Sequence, residues 1–238
     1  METAHDTLLS SLPHGFRAVV IGASGGIGSA LCQRLREEPN MGEIIPLSRS
    51  GNKLDLADEA SIAAAAQSLD GEPIHLLICA TGILGTDGHA PEKALRQIDP
   101  DRMMRQFAIN AVGPALVAKH FLPLLDRKQR SIAAFLSARV GSIGDNRLGG
   151  WISYRAAKAA LNQIVRTASI EYARTHPEAV LAAIHPGTVR TKLSEPFAAG
   201  HKTVAPDEAA RSILQALNGL TSDRSGSFIA YDGSTIVW

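Results

Sequence analysis

Tyr154 and Lys158 are four residues apart in a stretch, 151–174, whose apolar spacing predicts a helix. Residues at this spacing share one face of a helix, so the phenol and the ammonium group are expected to lie together. A nearby ammonium favours phenolate and lowers the pKa of a tyrosine from its ordinary value of about 10. The pair is therefore a candidate proton donor and acceptor near neutral pH. The alternative is a tyrosine packed on a sheet beside a solvated lysine.

A glycine-rich stretch, GASGGIG at 22–28, is the second candidate for chemistry. It follows an apolar, β-branched run at 16–21 and precedes a segment with helical apolar spacing, which predicts a strand, a turn and a helix. Glycines allow positive φ and let a pyrophosphate approach, and the free N–H groups of the following helix face the anion. The stretch therefore predicts a dinucleotide site. Its G-x-x-x-G-x-G spacing, taken alone, fits a structural turn equally well.

The composition favours a small-molecule partner. The chain has 238 residues, 45% of them hydrophobic, with 24 Lys and Arg against 23 Asp and Glu, so it lacks the charge signature of nucleic-acid binding. Two cysteines, Cys32 and Cys79, are too few for a disulfide framework or a cysteine zinc site, and we expect no metal. No signal peptide is evident, and no apolar run approaches the ~20 residues of a membrane span. We expect one domain, 1–238, that is cytoplasmic and outside membranes.

Apolar runs alternate with helical patterns along the chain, which predicts an α/β fold: a doubly wound, Rossmann-type parallel sheet of about seven strands with helices on both faces. The strands are expected at 16–21, 43–47, 54–56, 74–80, 131–138, 179–184 and 227–231. Ligands bind at the carboxyl ends of the strands in such sheets. The glycine stretch, CATG at 79–82, Ser137 and HPG at 185–187 all come at predicted strand ends, so they are expected to converge.

Six motifs together resemble the short-chain dehydrogenase/reductase family over nearly the whole chain. They are GASGGIG, Asp55 with Leu56, CATG in place of N-N-A-G, Asn110, YRAAK at 154–158 and PGTVRT at 186–191. Two further stretches, RVGSIGDNRLGGW at 139–151 and YDGSTIVW at 231–238, resemble the C-factor-like branch and are similar to sniffer-type carbonyl reductases.

The resemblance implies a reaction in which Tyr154 donates a proton to a carbonyl oxygen as hydride arrives from a nicotinamide. It implies that Lys158 lowers the pKa of Tyr154 and holds ribose hydroxyls, and that Asn110 anchors a water that relays protons to Lys158. The alternative for Asn110, near a helix interruption at Gly113 and Pro114, is to satisfy freed backbone groups.

The same resemblance implies the residues that hold the dinucleotide. They are Gly22, Ser24, Gly26, Ile27, Gly28, Ser48, Arg49, Asp55, Leu56, Ala80, Thr81, Gly82, Tyr154, Lys158, Pro186, Gly187, Val189 and Thr191. Ser48 stands where an NAD enzyme places Asp or Glu for the ribose hydroxyls. Arg49 follows, and its guanidinium suits a 2′-phosphate, so we expect NADP(H) rather than NAD(H). The alternative for Arg49 is a surface arginine in a turn.

Two departures from the family pattern concern the site. CATG lacks both asparagines, and Ala138 stands where the family has its catalytic serine. Because side chains of a strand alternate between faces, Ser137 is expected to face away if Ala138 faces the site. Ser142 lies beyond the strand, in a loop that leads to Tyr154, so we expect it to supply the second hydrogen-bond donor for the substrate oxygen. The alternative is a turn serine that bonds its own backbone.

The sequence therefore predicts an NADP(H)-dependent oxidoreductase that interconverts a carbonyl and an alcohol on a small, fairly apolar substrate. The absence of a serine at 138 favours an alternative, a dinucleotide-binding regulatory or signalling protein with weak or no turnover. Small residues on the long helices, which the family commonly pairs across a two-fold axis, predict a homodimer or homotetramer. Three loops, 84–100, 139–152 and 191–205, are expected to set the substrate.

Overall fold

Six parallel strands form one sheet in the computed structural model, which describes residues 7–69, 71–86, 88–195 and 202–238. The strands are β1 Phe16–Ile21, β2 Met41–Leu47, β3 Leu76–Cys79, β4 Ser131–Leu136, β5 Ala179–His185 and β6 Ser227–Ala230. The helices are α1 Gly26–Arg36, α2 Arg49–Asn52, α3 Glu59–Gln67, α4 Pro100–Phe107, α5 Gly113–Phe121, α6 Ile152–Tyr172 and α7 Pro206–Asn218. The strand order is β2-β1-β3-β4-β5-β6. The Rossmann-type parallel sheet is thus confirmed, with six strands where about seven were expected.

Helices cover both faces of the sheet. One hydrophobic cluster joins one face to α3, α5 and α6, and a second cluster joins the opposite face to α1 and α7. The residues of β3 and β4 are buried along the whole length of each strand. This explains their continuous apolar sequences, which are typical of parallel strands that are covered on both sides.

The direction of the chain across the sheet reverses at β1. β2 lies on one side of β1 and β3 lies on the other, so the segments that follow β1 and β3 open a crevice at the carboxyl ends of the strands. The glycine stretch follows β1, and the CATG stretch overlaps the end of β3. Residues 137–151 follow β4, and 186–195 follow β5. The topology therefore brings the predicted motifs to one edge of the sheet.

Residues 54–56 do not form the strand that the sequence predicts. Ser61 of α3 holds both backbone groups of Asp55: its Oγ accepts from the Asp55 N–H at 2.9 Å and donates to the Asp55 carbonyl at 3.0 Å. Just before them, Lys53 has a φ of 57°, which turns the chain out of the extended conformation. Leu54 and Leu56 are buried nonetheless. Their apolar pattern therefore reflects core packing and not a ladder of strand hydrogen bonds.

The helix expected at 101–125 is divided. A π-helical turn, Ala108–Val112, separates α4 from α5. Such turns shift the hydrogen-bond ladder by one residue and are frequent at functional sites. By length and composition, Pro100–Leu124 is the one helical stretch of the described residues that is apolar enough to cross a membrane. Its α5 part packs Val117 and Phe121 into the core of this protein, as a core helix does.

Candidate active site

The turn after β1 is packed too closely for side chains. Gly22 has a φ of +89°, which glycine adopts without strain, and a Cβ on it would lie 2.6 Å from the Ala80 carbonyl oxygen. A Cβ on Gly28 would lie 2.2 Å from the Gly22 carbonyl oxygen. α1 begins directly after this turn without a side-chain cap. Its first N–H groups, which have no partners within the helix, can therefore bind an anion.

Two adjoining cavities run along the carboxyl edge of the sheet. The first has a volume of about 510 Å³ and the second about 540 Å³, and both are lined by Ser24, Gly25, Ala80, Thr81 and Gly82. Most residues expected at the dinucleotide line one or both of them: Gly22, Ser24, Gly26, Ile27, Ser48, Arg49, Asp55, Leu56, Ala80, Thr81, Gly82, Tyr154, Lys158, Pro186 and Thr191. The exceptions are Gly28, which packs beneath the turn, and Gly187 and Val189, which line a third cavity.

The first cavity has a basic wall. Arg49 and Arg105 line it together with Ser48. Ser48 caps α2, since its Oγ accepts from the Gly51 N–H at 3.0 Å. Asp55 is the acidic residue in the wall, and its Oδ1 accepts from the Ala57 N–H at 2.9 Å. Two guanidinium groups against one carboxylate suit a phosphate at this end of the groove.

The second cavity contains Tyr154 and Lys158, which lie on one face of α6 with Lys158 Nζ 5.9 Å from the centre of the Tyr154 ring. Lys158 is 2% exposed, and its Nζ donates to the Leu136 carbonyl at 2.8 Å. Burial lowers the pKa of Lys158 to about 8. Burial also raises the pKa of Tyr154 above its ordinary value. The expected lowering of the Tyr154 pKa by Lys158 is therefore wrong for this structure, because burial disfavours the charged phenolate.

Asn110 lies in the π turn, where it is fully buried. Its Oδ1 accepts from the Ile83 N–H at 3.1 Å, and its Nδ2 donates to the Ile83 carbonyl at 2.9 Å and to Gln106 Oε1 at 2.6 Å. A Cβ on Gly82 would lie 3.0 Å from Asn110 Oδ1 and 3.5 Å from Lys158 Nζ. The Asn110 side chain therefore holds the segment after β3 beside Lys158. Its role as a water anchor stays a prediction.

A third cavity, of about 460 Å³, adjoins the second at Tyr154. Its apolar lining residues include Leu84, Ala138, Val140, Leu148, Trp151, Val189 and Leu193. The side chains of His185, Arg139 and Arg155 also line its wall. His185 belongs to the HPG stretch that was expected at this edge of the sheet. Sequence reasoning did not single out Arg139 and Arg155, although Arg139 begins the loop 139–152 that was expected to set the substrate. Burial lowers the pKa of His185 to about 4, so the imidazole is neutral at physiological pH.

Ser142 is not among the residues that line the third cavity beside Tyr154. Its Oγ donates to the Val237 carbonyl at 2.5 Å and accepts from the Asp145 N–H at 3.0 Å. The structure thus gives Ser142 the turn-serine role and does not support the expectation that it donates to the substrate. Ser137 also has a partner, since its Oγ donates to Asn162 Oδ1 at 2.6 Å. Ser137 and Ser142 therefore both donate their hydroxyl protons to other groups of the protein. Neither replaces the hydrogen-bond donor that a serine at position 138 would supply.

The PGTVRT stretch lies against the glycine turn. A Cβ on Gly26 would lie 2.7 Å from Thr191 Cγ2, so these two segments are in contact. Thr191 is held in turn by Ser194, whose Oγ accepts from the Thr191 N–H at 3.1 Å. The contact closes the second cavity on the side of β5. Residues 196–201 of the expected substrate loop 191–205 lie outside the described residues.

A family model described as short chain dehydrogenase matches residues 17–202, which include the glycine turn, Asn110, Tyr154 and Lys158. The chain belongs to this family. The resemblance drawn from the motifs is therefore confirmed.

Two relatives and one solved structure are similar to this chain over most of its length. This short-chain dehydrogenase is 35% identical to C-signal of Myxococcus xanthus, over 70% of this chain and 93% of that protein. It is 28% identical to 1-hydroxy-2-glutathionyl-2-methyl-3-butene dehydrogenase of a Rhodococcus species, over 92% of this chain and 98% of that one. The crystal structure of NADPH-bound carbonyl reductase from chicken fatty liver superposes with a TM-score of 0.80 and 26% identity, covering 97% of this chain and 96% of that one.

Proposed function

We propose that this short-chain dehydrogenase is an NADP(H)-dependent oxidoreductase that interconverts a carbonyl and an alcohol on a small, fairly apolar substrate. The observation that carries the proposal is the position of Tyr154. It lines the second cavity, with Lys158 and the glycine turn, and also the third, largely apolar cavity. A proton donor at that junction reaches a substrate in the third cavity and adjoins a dinucleotide in the other two.

The first and second cavities fit a dinucleotide. The glycine turn leaves backbone N–H groups as the surface beneath a pyrophosphate, since a Cβ on Gly22 or Gly26 would meet neighbouring atoms within 3 Å. Arg49 and Arg105 would hold a 2′-phosphate, and Lys158 and Thr191 would hold the nicotinamide end. When bound, the dinucleotide supplies or accepts the hydride. The NADPH bound to the similar chicken reductase supports this choice.

Tyr154 acts as the acid in carbonyl reduction under this proposal. Its raised pKa keeps the phenol protonated at neutral pH, so the hydroxyl can donate to the carbonyl oxygen as that oxygen gains negative charge. Lys158, with a pKa of about 8, is mostly charged at pH 7 and stabilises the phenolate that remains. Asn110 keeps the segment after β3 beside Lys158 through its hydrogen bonds to Ile83. In this proposal it also anchors a water that returns a proton to Lys158.

Turnover of NADPH on a panel of aldehydes and ketones tests the proposal. Tyr154→Phe keeps the ring and removes the transferable proton, so kcat should fall by at least about 10²-fold while NADPH affinity, measured by calorimetry, stays within about twofold. Tyr231→Phe is the matched control, because the Tyr231 ring packs on Gly187 outside the Tyr154 junction, and it should retain kcat. Unchanged kcat in Tyr154→Phe overturns the mechanism. Equal or tighter binding of NADH than of NADPH overturns the choice of dinucleotide.

The alternative function is a dinucleotide-binding regulatory or signalling protein with weak or no turnover. Two observations favour it: Ala138 brings no hydroxyl to the third cavity, and the chain is 35% identical to a protein named C-signal. Tight NADPH binding without turnover of any carbonyl in the panel would decide for this alternative.

Assembly and location complete the proposal. We propose a homodimer or homotetramer that buries the apolar side chains exposed along α4, the π turn and α6, namely Met104, Val112 and Ile170. Light scattering at micromolar concentration tests it, and a monomeric mass contradicts it. We propose a cytoplasmic location, which fractionation of the source cells tests.

A further inference from the structure

The helix that carries Tyr154 begins in an unusual backbone conformation. Gly149, Gly150 and Trp151 have successive φ values of +63°, +66° and +51°, all in the left-handed region. Trp151 is the N-cap of α6, and it makes no side-chain cap hydrogen bond. A tryptophan adopts this conformation at a cost, which persists only where the surroundings hold the residue in place. The start of α6 therefore needs an external support.

Glu92, from the loop between β3 and α4, provides that support through its backbone and its side chain. Its carbonyl accepts from the Trp151 N–H at 2.5 Å. One carboxylate oxygen, Oε1, accepts from the Ser153 hydroxyl, and the other, Oε2, accepts from the Ser153 N–H at 3.4 Å. Ser153 is buried. Glu92 thus caps α6 from a segment that lies 61 residues earlier in the chain.

The contacts of Glu92 fix two neighbours of Tyr154, the proposed acid: Ser153, which precedes it in the helix, and Trp151, whose ring contacts its ring. Tyr154 is the third residue of α6, and the N–H groups of a first helical turn have no partners within the helix. A carboxylate at this end satisfies one of them and is favoured by the helix dipole. The ring of Trp151 meets the ring of Tyr154 edge to face, with the centroids 6.3 Å apart. Movement of Trp151 or fraying of the first turn would therefore displace the Tyr154 hydroxyl.

We propose that Glu92 is a positioning residue for Tyr154, which it holds through Trp151 and Ser153. This inference rests on the proposed function for its effect on turnover, but not for its effect on the helix. It assigns a role to the loop 84–100 beyond lining the cavity. Within that loop, Glu92 is the residue that contacts Trp151 and Ser153.

Hydrogen exchange in the dinucleotide-free protein tests the structural step without any turnover. In Glu92→Ala, exchange of the Ser153 amide, which donates to the Glu92 carboxylate, should accelerate at least about tenfold relative to the rest of α6, because the fraying of the first turn is no longer opposed. Asp58→Ala is the matched control. Asp58 also caps a helix with its carboxylate, which accepts from the Ala60 N–H at 3.0 Å, but α3 does not carry Tyr154. It should accelerate exchange in α3 and leave exchange of the Ser153 amide unchanged.

Kinetics test the positioning step. Glu92→Ala should lower kcat about tenfold or more, because small misplacements of a catalytic group are costly, while NADPH affinity by calorimetry stays within about twofold. Glu92→Gln keeps an acceptor oxygen and should restore kcat to within about threefold. Adding Ser153→Ala to Glu92→Ala should lower kcat little further, since both changes remove the same contact. Asp58→Ala should keep kcat.

Several results overturn the inference. Unchanged exchange of the Ser153 amide in Glu92→Ala shows that Glu92 does not hold the helix start. Faster exchange with unchanged kcat shows that Tyr154 does not depend on it, and equal losses of kcat in Glu92→Ala and Asp58→Ala show a general loss of stability. If Glu92→Ala does not fold, full activity in Ser153→Ala decides against the proposal. An absence of turnover in the unmutated protein refutes the proposed function alone, because the exchange result still stands.

Discussion

Replacing Lys158 by methionine should change how the stability of this protein depends on pH. Lys158 is 2% exposed, and burial lowers its pKa from 10.5 to about 8. The ammonium form is therefore less favourable in the folded protein than in the unfolded chain. Methionine fills a similar volume and carries no charge. The substitution removes this electrostatic cost together with the hydrogen bond to the Leu136 carbonyl.

The magnitude follows from the two pKa values. A gap of about 2.5 between 10.5 and about 8 corresponds to about 3 kcal/mol of free energy of unfolding. Below about pH 8 the lysine is charged in both states, and the cost is fully present. Between about pH 8 and 10.5 the unfolded chain binds one proton more than the folded protein, so the stability contributed at this site rises with pH. The free energy of unfolding of Lys158→Met minus that of the unmutated protein should therefore fall by about 2 to 3 kcal/mol between pH 7 and pH 10.

Urea unfolding of the dinucleotide-free proteins at pH 7, 8, 9 and 10, followed by far-ultraviolet circular dichroism, measures this difference. Loss of the Leu136 hydrogen bond shifts the free energy of unfolding of the variant by an amount that does not depend on pH, so the slope remains the test. Tyr154→Phe keeps Lys158 and should follow the pH dependence of the unmutated protein up to about pH 9, below the range in which the tyrosine of the unfolded chain ionises. A difference between Lys158→Met and the unmutated protein that stays constant from pH 7 to pH 10 would refute the argument from burial.

Two serine substitutions complete the predictions. Steady-state kinetics on a good substrate measure the effect of the first, and kinetics together with urea unfolding measure the effect of the second. Ala138→Ser places a hydroxyl on the wall of the third cavity beside Tyr154. Because one oxyanion donor is typically worth about 10²- to 10³-fold in rate, kcat should stay equal or rise. A fall in kcat would show that Ala138 is required. Ser142→Ala leaves the Val237 carbonyl and the Asp145 N–H without their partner, so it should cost about 1 to 3 kcal/mol of stability and have little effect on kcat. A fall of kcat by about 10² at unchanged stability would instead restore Ser142 as a catalytic donor.

The sequence by itself determined the features that depend on short-range patterns. Apolar runs predicted β3, β4 and β5 as parallel strands, and helical spacing placed Tyr154 and Lys158 on one face of α6. The glycine pattern predicted the turn between β1 and α1. These predictions succeed because side chains repeat their direction every two residues in a strand and every 3.6 residues in a helix. Residues close in sequence therefore determine which side chains share a face.

Only the tertiary structure decided which polar groups meet. Asp55 reads as part of a strand, but the hydroxyl of Ser61 on the next helix holds its backbone. Ser142 turns to the Val237 carbonyl, 95 residues away, and Glu92 reaches Ser153 across 61. The pKa of Tyr154 rises because the packed protein excludes water, which no spacing of residues reveals. Local periodicity carries no information about contacts over such separations, because they arise only when the sheet has brought its loops to one edge.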